Sequence, residues 1–251
     1  MRLLKRNNTG EFSLTNDLLF SSHDYIPRYA ILSHTWRADT EEVSFKDMID
    51  GTGMTKPGYD KIRFCGEQAR RDDLQYFWID TCCIDKSNST ELQEAINSMF
   101  SWYRNAAKCY VYLADVSGPT LDANVGRLSW ESSFRKSRWF TRGWTLQELV
   151  APAIVEFFSK EGEQLGSKRS LERHIHEVTR IPVKALRGSL LSDFSVPERM
   201  LWAEDRDTTR KEDKAYSLLG IFDIHMPLIY GEGRENSFKR LREEIDRASK
   251  G

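Results

Sequence analysis

Short apolar runs alternate with segments of helical periodicity along the first 160 residues of the chain. The apolar runs are typical of buried strands, and they lie at 28–36, 76–85, 108–116 and 153–158. Apolar residues at helical spacing predict a helix over 59–72, a second helix after a cap at Asn88 or Ser89, and a third that ends before Pro152. This alternation predicts an α/β fold with a mainly parallel sheet and helices on both of its faces.

The pattern changes after residue 160, where charged amphipathic segments separated by prolines and glycines replace the apolar runs. No strand of comparable strength is predicted there, and the charged stripes are expected to face solvent. We therefore expect residues 1–160 to form an α/β core and residues 161–251 to form a helical C-terminal part of the same domain. A loop is predicted around Gly118, Pro119 and Gly126.

The composition is that of a globular protein without a strongly charged partner. Hydrophobic side chains make up 39% of the 251 residues, and 37 lysines and arginines nearly balance 38 aspartates and glutamates. This balance argues against a nucleic-acid-binding surface, which requires an excess of basic residues. No apolar run approaches the roughly 18 residues of a membrane span, and the first residues lack the apolar stretch of a signal peptide. We therefore expect a cytoplasmic protein that binds neither nucleic acid nor a membrane.

The four cysteines form no recognisable disulfide or metal pattern. Cys82 and Cys83 are adjacent, which strains any bridge between them, and Cys65 and Cys109 stand alone. The CxxC spacing of zinc sites is absent, and the histidines do not complete such a site. We expect reduced thiols and no bound metal.

Four blocks of sequence, in this order, carry a resemblance to a known family. They are YAILSHTW, FWIDTCCID, SRWFTRGWTLQELVAP and KEDKAYSLLGIFDIHMPLIYGEG. The blocks resemble those of the fungal heterokaryon-incompatibility (HET) domain, and the resemblance extends from about Arg28 to the C-terminus. Lys211 stands where the family usually has arginine.

The resemblance implies an intracellular effector of cell death in vegetative incompatibility. In large proteins of this family the HET domain precedes a nucleotide-binding switch and a repeat sensor, so C-terminal sensor domains of these kinds are implied partners. Control by a sensor that assembles the effector further implies self-association.

The HET family is in turn similar to TIR domains, some of which cleave NAD, and this similarity implies a TIR/flavodoxin-like sheet. In TIR domains a strand leads into a serine-containing loop, and the catalytic glutamate lies on a helix after a tryptophan-rich stretch. The segment AILSHTW resembles that strand and loop, and SRWFTRGWTLQEL resembles the stretch with the glutamate. By this resemblance Glu148 is the catalytic candidate and NAD is the substrate, with no cofactor and no metal.

One carboxylate is sufficient for the implied chemistry. Nicotinamide leaves NAD as a neutral molecule, so the reaction needs no general acid of the kind that paired-carboxylate glycosidases use. Glu148 would stabilise the oxocarbenium-like ribose through its negative charge. The other candidates for the nucleotide pocket lie near strand ends, where parallel sheets bind ligands, or carry aromatic or cationic side chains, and they are Ser33, His34, Trp36, Asp80, Asp85, Arg142 and Trp144.

Each candidate also has a structural interpretation. Glu148 can hold its helix through a backbone or Arg142 contact, and Asp80 and Asp85 can cap the helix that follows them. Tryptophans are mostly buried in any domain, so packing is the simpler role of Trp144.

Two further classes of function stay open at this point. One is a non-enzymatic module that oligomerises and recruits another executor of cell death, and the other is a thiol hydrolase that uses Cys82 or Cys83. A serine hydrolase that uses Ser33 and His34 is disfavoured, because adjacent residues at a strand end point to opposite faces and do not readily share a proton.

Overall fold

Seven strands form one sheet in the computed structural model, which describes residues 1–7, 10–17, 26–119 and 130–250. The strands are β1 (Leu4–Arg6), β2 (Phe12–Leu14), β3 (Tyr29–His34), β4 (Tyr76–Trp78), β5 (Lys108–Tyr112), β6 (Val155–Phe158) and β7 (Gln164–Ser167). Their order across the sheet is β2-β1-β4-β3-β5-β6-β7.

Helices cover the sheet and build most of the C-terminal part. In the described residues they are α1 (Phe45–Ile49), α2 (Tyr59–Arg71), α3 (Asp80–Cys83), α4 (Ser89–Asn105), α5 (Trp130–Arg135), α6 (Thr145–Val150), α7 (Glu172–Thr179), α8 (Val183–Leu186), α9 (Val196–Leu201), α10 (Asp213–Tyr216), α11 (Leu219–Phe222) and α12 (Gly233–Ala248). Short 3-10 turns lie at Gly53–Thr55, Arg138–Thr141 and Leu191–Asp193. Among these helices none combines the length and the apolar character needed to cross a membrane.

The sheet is mixed, so the expectation of a mainly parallel sheet was wrong. Its centre is parallel, because β3 pairs with β4 and β5, and β5 pairs with β6, in the same direction. Both edges are antiparallel, since β1 pairs with β2 and β4, and β7 pairs with β6. The few residues that separate β1 from β2, and β6 from β7, are too few for the crossover that parallel neighbours need.

The central strand β3 carries residues of the candidate site and is covered on both faces. All six of its residues are buried, as expected from its near-continuous apolar block. Tyr29 donates a hydrogen bond to the carbonyl of Trp102 at 2.6 Å, so one face of the sheet meets α4. On the other face Phe64 of α2 packs on Tyr112, the register partner of His34, with ring centroids 5.1 Å apart. The prediction of helices on both faces is therefore confirmed.

The strand predicted over 76–85 is shorter than expected. β4 ends at Trp78, and residues Asp80–Cys83 of the run form the helix α3. The amide of Cys83 donates to the carbonyl of Ile79 at 2.9 Å, which closes one helical turn. An apolar run that is buried on every side does not distinguish a strand from a buried helical turn.

The boundary expected at residue 160 lies in the hairpin between β6 and β7. β7 completes the sheet although the sequence predicts no strand there, because in this strand only Leu165 is buried and an apolar pattern is missing. The expected C-terminal helices form as α7 to α12. Ile175, Leu219 and Leu241 of these helices join the same hydrophobic core as the strands.

Two edge strands were not predicted from the sequence, whereas one helix start was. β1 and β2 are missed by the sequence, because strands of three residues are too short to show alternation. The helix expected from Asn88 or Ser89 begins at Ser89, and the Asn88 side chain caps it. Of the loop predicted around Gly118, Pro119 and Gly126, the last residue lies outside the described residues.

Candidate functional site

A buried cluster of polar side chains joins the central strand to α6. Ser33, the penultimate residue of β3, donates a hydrogen bond to Glu148 Oε2 on α6. The indole nitrogen of Trp139, in the 3-10 turn before α6, donates to Ser33 Oγ at 2.8 Å. Ser33, Trp139 and Glu148, here called the Glu148 cluster, thus connect positions that lie 106 and 115 residues apart in sequence.

The local structure of α6 places Glu148 in the core. The hydroxyl of Thr145 donates to the carbonyls of Trp139 and Arg142 at 2.6 and 2.8 Å, which fixes the turn from which α6 starts. Pro152 follows the helix and prevents its continuation. All six residues of α6 are buried, so this helix has no solvent-facing side on which a carboxylate could lie.

Burial raises the pKa of Glu148 to about 8. The hydrogen bond from Ser33 opposes this rise, the negative charge of Asp80 adds to it, and the hydroxyl of Tyr103 and the positive charge of Arg206 again oppose it. A carboxyl group with this pKa is mostly protonated at pH 7 and ionises just above neutral pH. Its charge therefore responds to any cation that comes close.

A second group of polar residues lies just beyond the parallel strands β3 and β4. It consists of His34, Trp36, Asp80 and Lys86 and is here called the Asp80 cluster. Trp36 Nε1 donates to Asp80 Oδ2 at 2.8 Å, and Lys86 Nζ lies 3.7 Å from the centroid of the Trp36 ring. Trp36 is 45% exposed, so this cluster, unlike the first, opens to solvent. Partial burial raises the pKa of Asp80, and the charge of Lys86 opposes that rise.

His34 lies on the opposite sheet face from Ser33 and is 7% exposed. Within the part of the chain that the structure describes, neither of its ring nitrogens has a hydrogen-bond partner, and Asp80 Oδ1 lies 3.9 Å from Nε2. Burial, followed by the positive charges of Lys61 and Lys86, keeps the pKa of His34 well below its usual range. The imidazole is thus neutral, and it does not pair with Ser33 as a base.

Three of the predicted pocket residues form hydrogen bonds with residues outside both clusters. Asp85 accepts hydrogen bonds from the amide and hydroxyl of Ser87 in the turn before α4, and the helix itself is capped by Asn88. The guanidinium of Arg142 donates to Thr209 Oγ1 at 3.1 Å, and Trp144 Nε1 donates to Asp213 Oδ2 at 3.4 Å. Arg142 and Trp144 therefore contact the C-terminal part. The residues expected to line one nucleotide pocket thus have separate partners.

Glu148 as a whole residue is only 8% exposed, so its carboxyl group has little access to a ligand in this conformation. Two cavities are formed by other parts of the described chain. One of about 560 Å³ lies beside β4 and includes Arg70 and Tyr76, and one of about 300 Å³ lies beside α2 and includes Arg63 and Lys160. Neither of these two cavities is lined by Glu148.

The cysteines pack as small hydrophobic side chains. Cys65, Cys82, Cys83 and Cys109 are buried and free. A hydrogen bond with Cys83 and burial keep the pKa of the Cys82 thiol well above its usual range, which disfavours the thiolate that a hydrolase needs. Across the described ranges, no group of three His, Cys, Asp or Glu side chains is placed to hold a metal ion.

The sequence did not reveal several partners of the candidate site. The contact of Trp139 with Ser33 is not predicted from the sequence, although a buried indole N–H normally requires an acceptor and so carries a signal. Arg206 and Lys168 belong to charged segments expected to face solvent, yet both are buried, and this part of the expectation was wrong. Their roles depend on contacts with α6, which no local pattern encodes.

The chain carries a heterokaryon-incompatibility (HET) domain, as its four sequence blocks predict. Residues 29–132 match the family described as Heterokaryon incompatibility protein (HET). Over 245 residues, 98% of its length, the chain is 64% identical to Vegetative incompatibility protein HET-E-1 of Podospora anserina. It spans 18% of the length of that relative. No solved structure matches the chain.

Proposed function

We propose that the chain is a cell-death effector of vegetative incompatibility and that it cleaves NAD at the nicotinamide–ribose bond. The observation that carries the proposal is the position of Glu148, hydrogen-bonded to the end of the central parallel strand, with a pKa near 8. Ligands of open α/β sheets bind beyond the carboxyl ends of parallel strands. The proposal includes a TIR/flavodoxin-like relationship for the parallel centre of the sheet.

In the proposed reaction the bond between nicotinamide N1 and ribose C1 breaks, and its electron pair leaves with the neutral nicotinamide. Water then adds to C1 and releases a proton, which gives ADP-ribose. Ionised Glu148 stabilises the positive charge that develops on the ribose. NAD enters as the substrate, and the reaction uses no metal and no cofactor.

The raised pKa of Glu148 is compatible with this role, because the substrate itself is cationic at the reacting ring. A positive nicotinamide ring close to the carboxyl group favours the ionised form and lowers its pKa. Ser33 then stabilises the carboxylate through its hydrogen bond. Substrate binding and ionisation of Glu148 would therefore favour each other.

The Asp80 cluster supplies the second part of the proposed pocket. The exposed face of Trp36 can stack on a nicotinamide or adenine ring, an interaction worth about 0.5 to 2 kcal/mol for a cationic ring. His34 adds two buried ring nitrogens that have no hydrogen-bond partner within the described chain, and a ligand would reach them only after the site opens. Arg142 and Trp144 stay outside this pocket unless the C-terminal part moves.

The burial of Glu148 requires that the site open before NAD can enter. We assign this opening to self-association in the cytoplasm, driven by sensor domains elsewhere in the full-length protein. A nucleotide-binding switch and a repeat sensor C-terminal to this chain are the proposed controlling partners. An isolated, dilute chain is then expected to be nearly inactive.

A second candidate function is a non-enzymatic module that oligomerises and recruits a separate executor. The burial of Glu148 and its hydrogen bond from Ser33 favour this alternative. A buried carboxyl group with a hydrogen-bond partner is sufficient to fix α6 on β3 without taking part in a reaction. In that case the Glu148 cluster is a structural network.

Released nicotinamide distinguishes the two functions. The purified chain, alone and fused to an inducible dimerisation module, is incubated with NAD at high protein concentration. We expect release from the dimerised chain and a loss of about 100-fold or more in Glu148→Gln, because a neutral amide cannot stabilise the ribose cation. Glu243→Gln on the exposed side of α12 is the matched control and is expected to retain full activity.

Cell death in a fungal host tests the same proposal at matched expression. Glu148→Gln is expected to abolish toxicity, whereas Glu243→Gln preserves it. A dimerised wild-type chain that releases no nicotinamide, together with a toxic Glu148→Gln chain, would establish the recruiting module instead.

A further inference from the structure

A segment of the C-terminal part clamps the start of the Glu148 helix. The guanidinium Nη1 of Arg206 donates to the carbonyl of Arg142 at 2.9 Å and to Thr145 Oγ1 at 2.8 Å. The next residue, Asp207, accepts a hydrogen bond from the amide of Gly143 at 2.8 Å through its carbonyl. The turn from which α6 starts is therefore bound to residues that lie about 60 positions later in the chain.

Arg206 brings a charge into the core. It is 3% exposed, and within the described chain its Nη2 atom has no hydrogen-bond partner. A buried charge is costly unless an opposite charge compensates it. The start of a helix is itself the positive end of the helix dipole and does not provide that compensation. Glu148, one turn into the same helix, is the acidic group placed to do so.

We propose that Arg206 is the positioning residue of Glu148. It fixes the turn that starts α6, and it supplies the buried positive charge that balances the Glu148 carboxylate once this group ionises. The role of Arg206 in catalysis rests on the proposed NAD cleavage. Its effect on the ionisation of Glu148 does not.

The groups around Glu148 support this assignment. Asp80 of α3 raises the pKa of Glu148, while Ser33 of β3, Tyr103 of α4 and Arg206 lower it. Cys109 of β5 contacts the Glu148 backbone through a long hydrogen bond of 3.8 Å from its thiol, which carries no charge here because burial keeps its pKa well above the usual range. Arg206 is thus the cation in this set, and Glu148 in turn raises the pKa of Arg206, which burial lowers to about 10.

Lys168 provides a matched control at the other end of α6. Its Nζ donates to the carbonyls of Leu149 and Pro152 at 3.2 and 2.6 Å, and it is also buried. Burial lowers the pKa of Lys168 to about 8, and Glu148 is not among the groups that oppose this shift. Loss of either cation removes hydrogen bonds at one end of α6, but only loss of Arg206 removes the charge that balances Glu148.

The test is the ionisation of Glu148 in the full chain. Carboxyl carbon shifts in carbon-13 NMR, assigned by their absence in Glu148→Gln, are followed with pH in the wild-type chain and in Arg206→Met, Arg206→Lys and Lys168→Met. In Arg206→Met we expect the midpoint to move up so that the ionised fraction at pH 7 falls about tenfold. Arg206→Lys, which keeps the charge, and Lys168→Met are expected to titrate close to the wild-type midpoint. If Arg206→Met does not fold, Arg206→Gln replaces it, because its amide retains a hydrogen-bond donor without the charge.

Two results would overturn the inference: an unchanged Glu148 midpoint in Arg206→Met or Arg206→Gln, or an equal shift in Lys168→Met. Nicotinamide release is measured on the same variants, and we expect it to fall by the same factor at pH 7 and to recover at higher pH. The two proposals fail separately, because a shifted midpoint in a chain that releases no nicotinamide would refute NAD cleavage and leave the electrostatic role of Arg206 intact.

Discussion

The two polar clusters at the end of β3 differ in access and in hydrogen bonding, although Ser33 and His34 are consecutive residues. On one face Ser33, Trp139 and Glu148 form a closed network whose members are hydrogen-bonded to one another. On the other face His34 has ring nitrogens without a partner in the described chain, and the neighbouring Trp36 is exposed. Strand alternation thus places Ser33 in a hydrogen-bonded core network and His34 in a buried position whose ring nitrogens have no partner in the described chain.

In the proposed function, this difference explains how the isolated chain can be inactive and still carry a catalytic carboxyl group. Burial raises the pKa of Glu148 to about 8 and leaves the residue little exposed, so in the proposed function this carboxyl group is protonated and inaccessible until the site opens. The open Asp80 cluster is the part that a ligand can contact first. Asp80 links the two, because it lies 3.9 Å from His34 and its charge raises the pKa of Glu148.

The largest expected effect on stability comes from removing the ionisation of Glu148. The folded-state pKa of about 8 lies above the usual value near 4.5, so between these values the folded chain holds a proton that the unfolded chain has lost. The free energy of unfolding therefore falls as pH rises through this window. In Glu148→Gln this contribution disappears, and the difference between variant and wild type should change by about 2 to 3 kcal/mol between pH 6 and pH 9.

Urea unfolding at pH 6, 7, 8 and 9 measures that difference. Taking the difference cancels the titrations of His34 and Lys168, which both chains share. Glu243→Gln, an exposed acid, should follow the wild-type curve at every pH. A difference between wild type and Glu148→Gln that stays constant with pH would show that the pKa of Glu148 is close to its usual value.

The second-largest effect on stability is expected from Ser33→Ala, which removes the strand residue of the Glu148 cluster. The substitution leaves the indole N–H of Trp139 and one oxygen of Glu148 without their partner in the core, so we expect a destabilisation of about 1 to 3 kcal/mol. Urea unfolding at pH 6, where Glu148 is protonated, gives the value. Ser87→Ala removes an exposed hydrogen bond to Asp85 and should cost less than about 0.5 kcal/mol. Equal effects of the two substitutions would contradict a tightly coupled Glu148 cluster.

The sequence predicts the parts of the fold that depend on local periodicity. The buried strand β3, the helix α2 and the capped start of α4 are confirmed, because their apolar spacing or capping residue is visible within a few positions. The antiparallel edges are not predictable in the same way, since β1 and β2 are too short for a pattern and β7 has little buried surface. Parallel pairing was therefore overestimated.

The residues of the candidate site likewise differ in how far the sequence predicts their contacts. Ser33 and Glu148, two of the residues predicted for the site, are hydrogen-bonded across 115 residues of sequence. Arg142 and Trp144 contact the C-terminal part instead, because their side chains meet Thr209 and Asp213. Such tertiary partners, like the burial of Arg206, have no signature within a local window of sequence.

A smaller effect is expected from Asp80→Asn, which tests whether the two clusters are coupled. The amide keeps an acceptor for Trp36 Nε1 but removes the negative charge that raises the pKa of Glu148. The midpoint of Glu148 should therefore move down, by an amount corresponding to about two- to threefold in its ionisation constant. Carbon-13 NMR of the carboxyl groups measures this midpoint. A midpoint that does not move, or one that rises, would mean that the clusters act independently.

The smallest effect on stability is expected from Trp36→Ala, and it separates ligand binding from folding. Because Trp36 is 45% exposed, its loss should lower the free energy of unfolding by less than about 1 kcal/mol. The same substitution removes the stacking surface of the proposed pocket, so the KM for NAD of the dimerised chain should rise about threefold to thirtyfold. Leu190→Ala, at an exposed apolar side chain of the C-terminal part, serves as the control with unchanged KM. If Trp36→Ala instead destabilises the chain strongly and leaves KM unchanged, the Asp80 cluster is part of the core, and the contrast between the two faces of β3 is one of packing rather than of access.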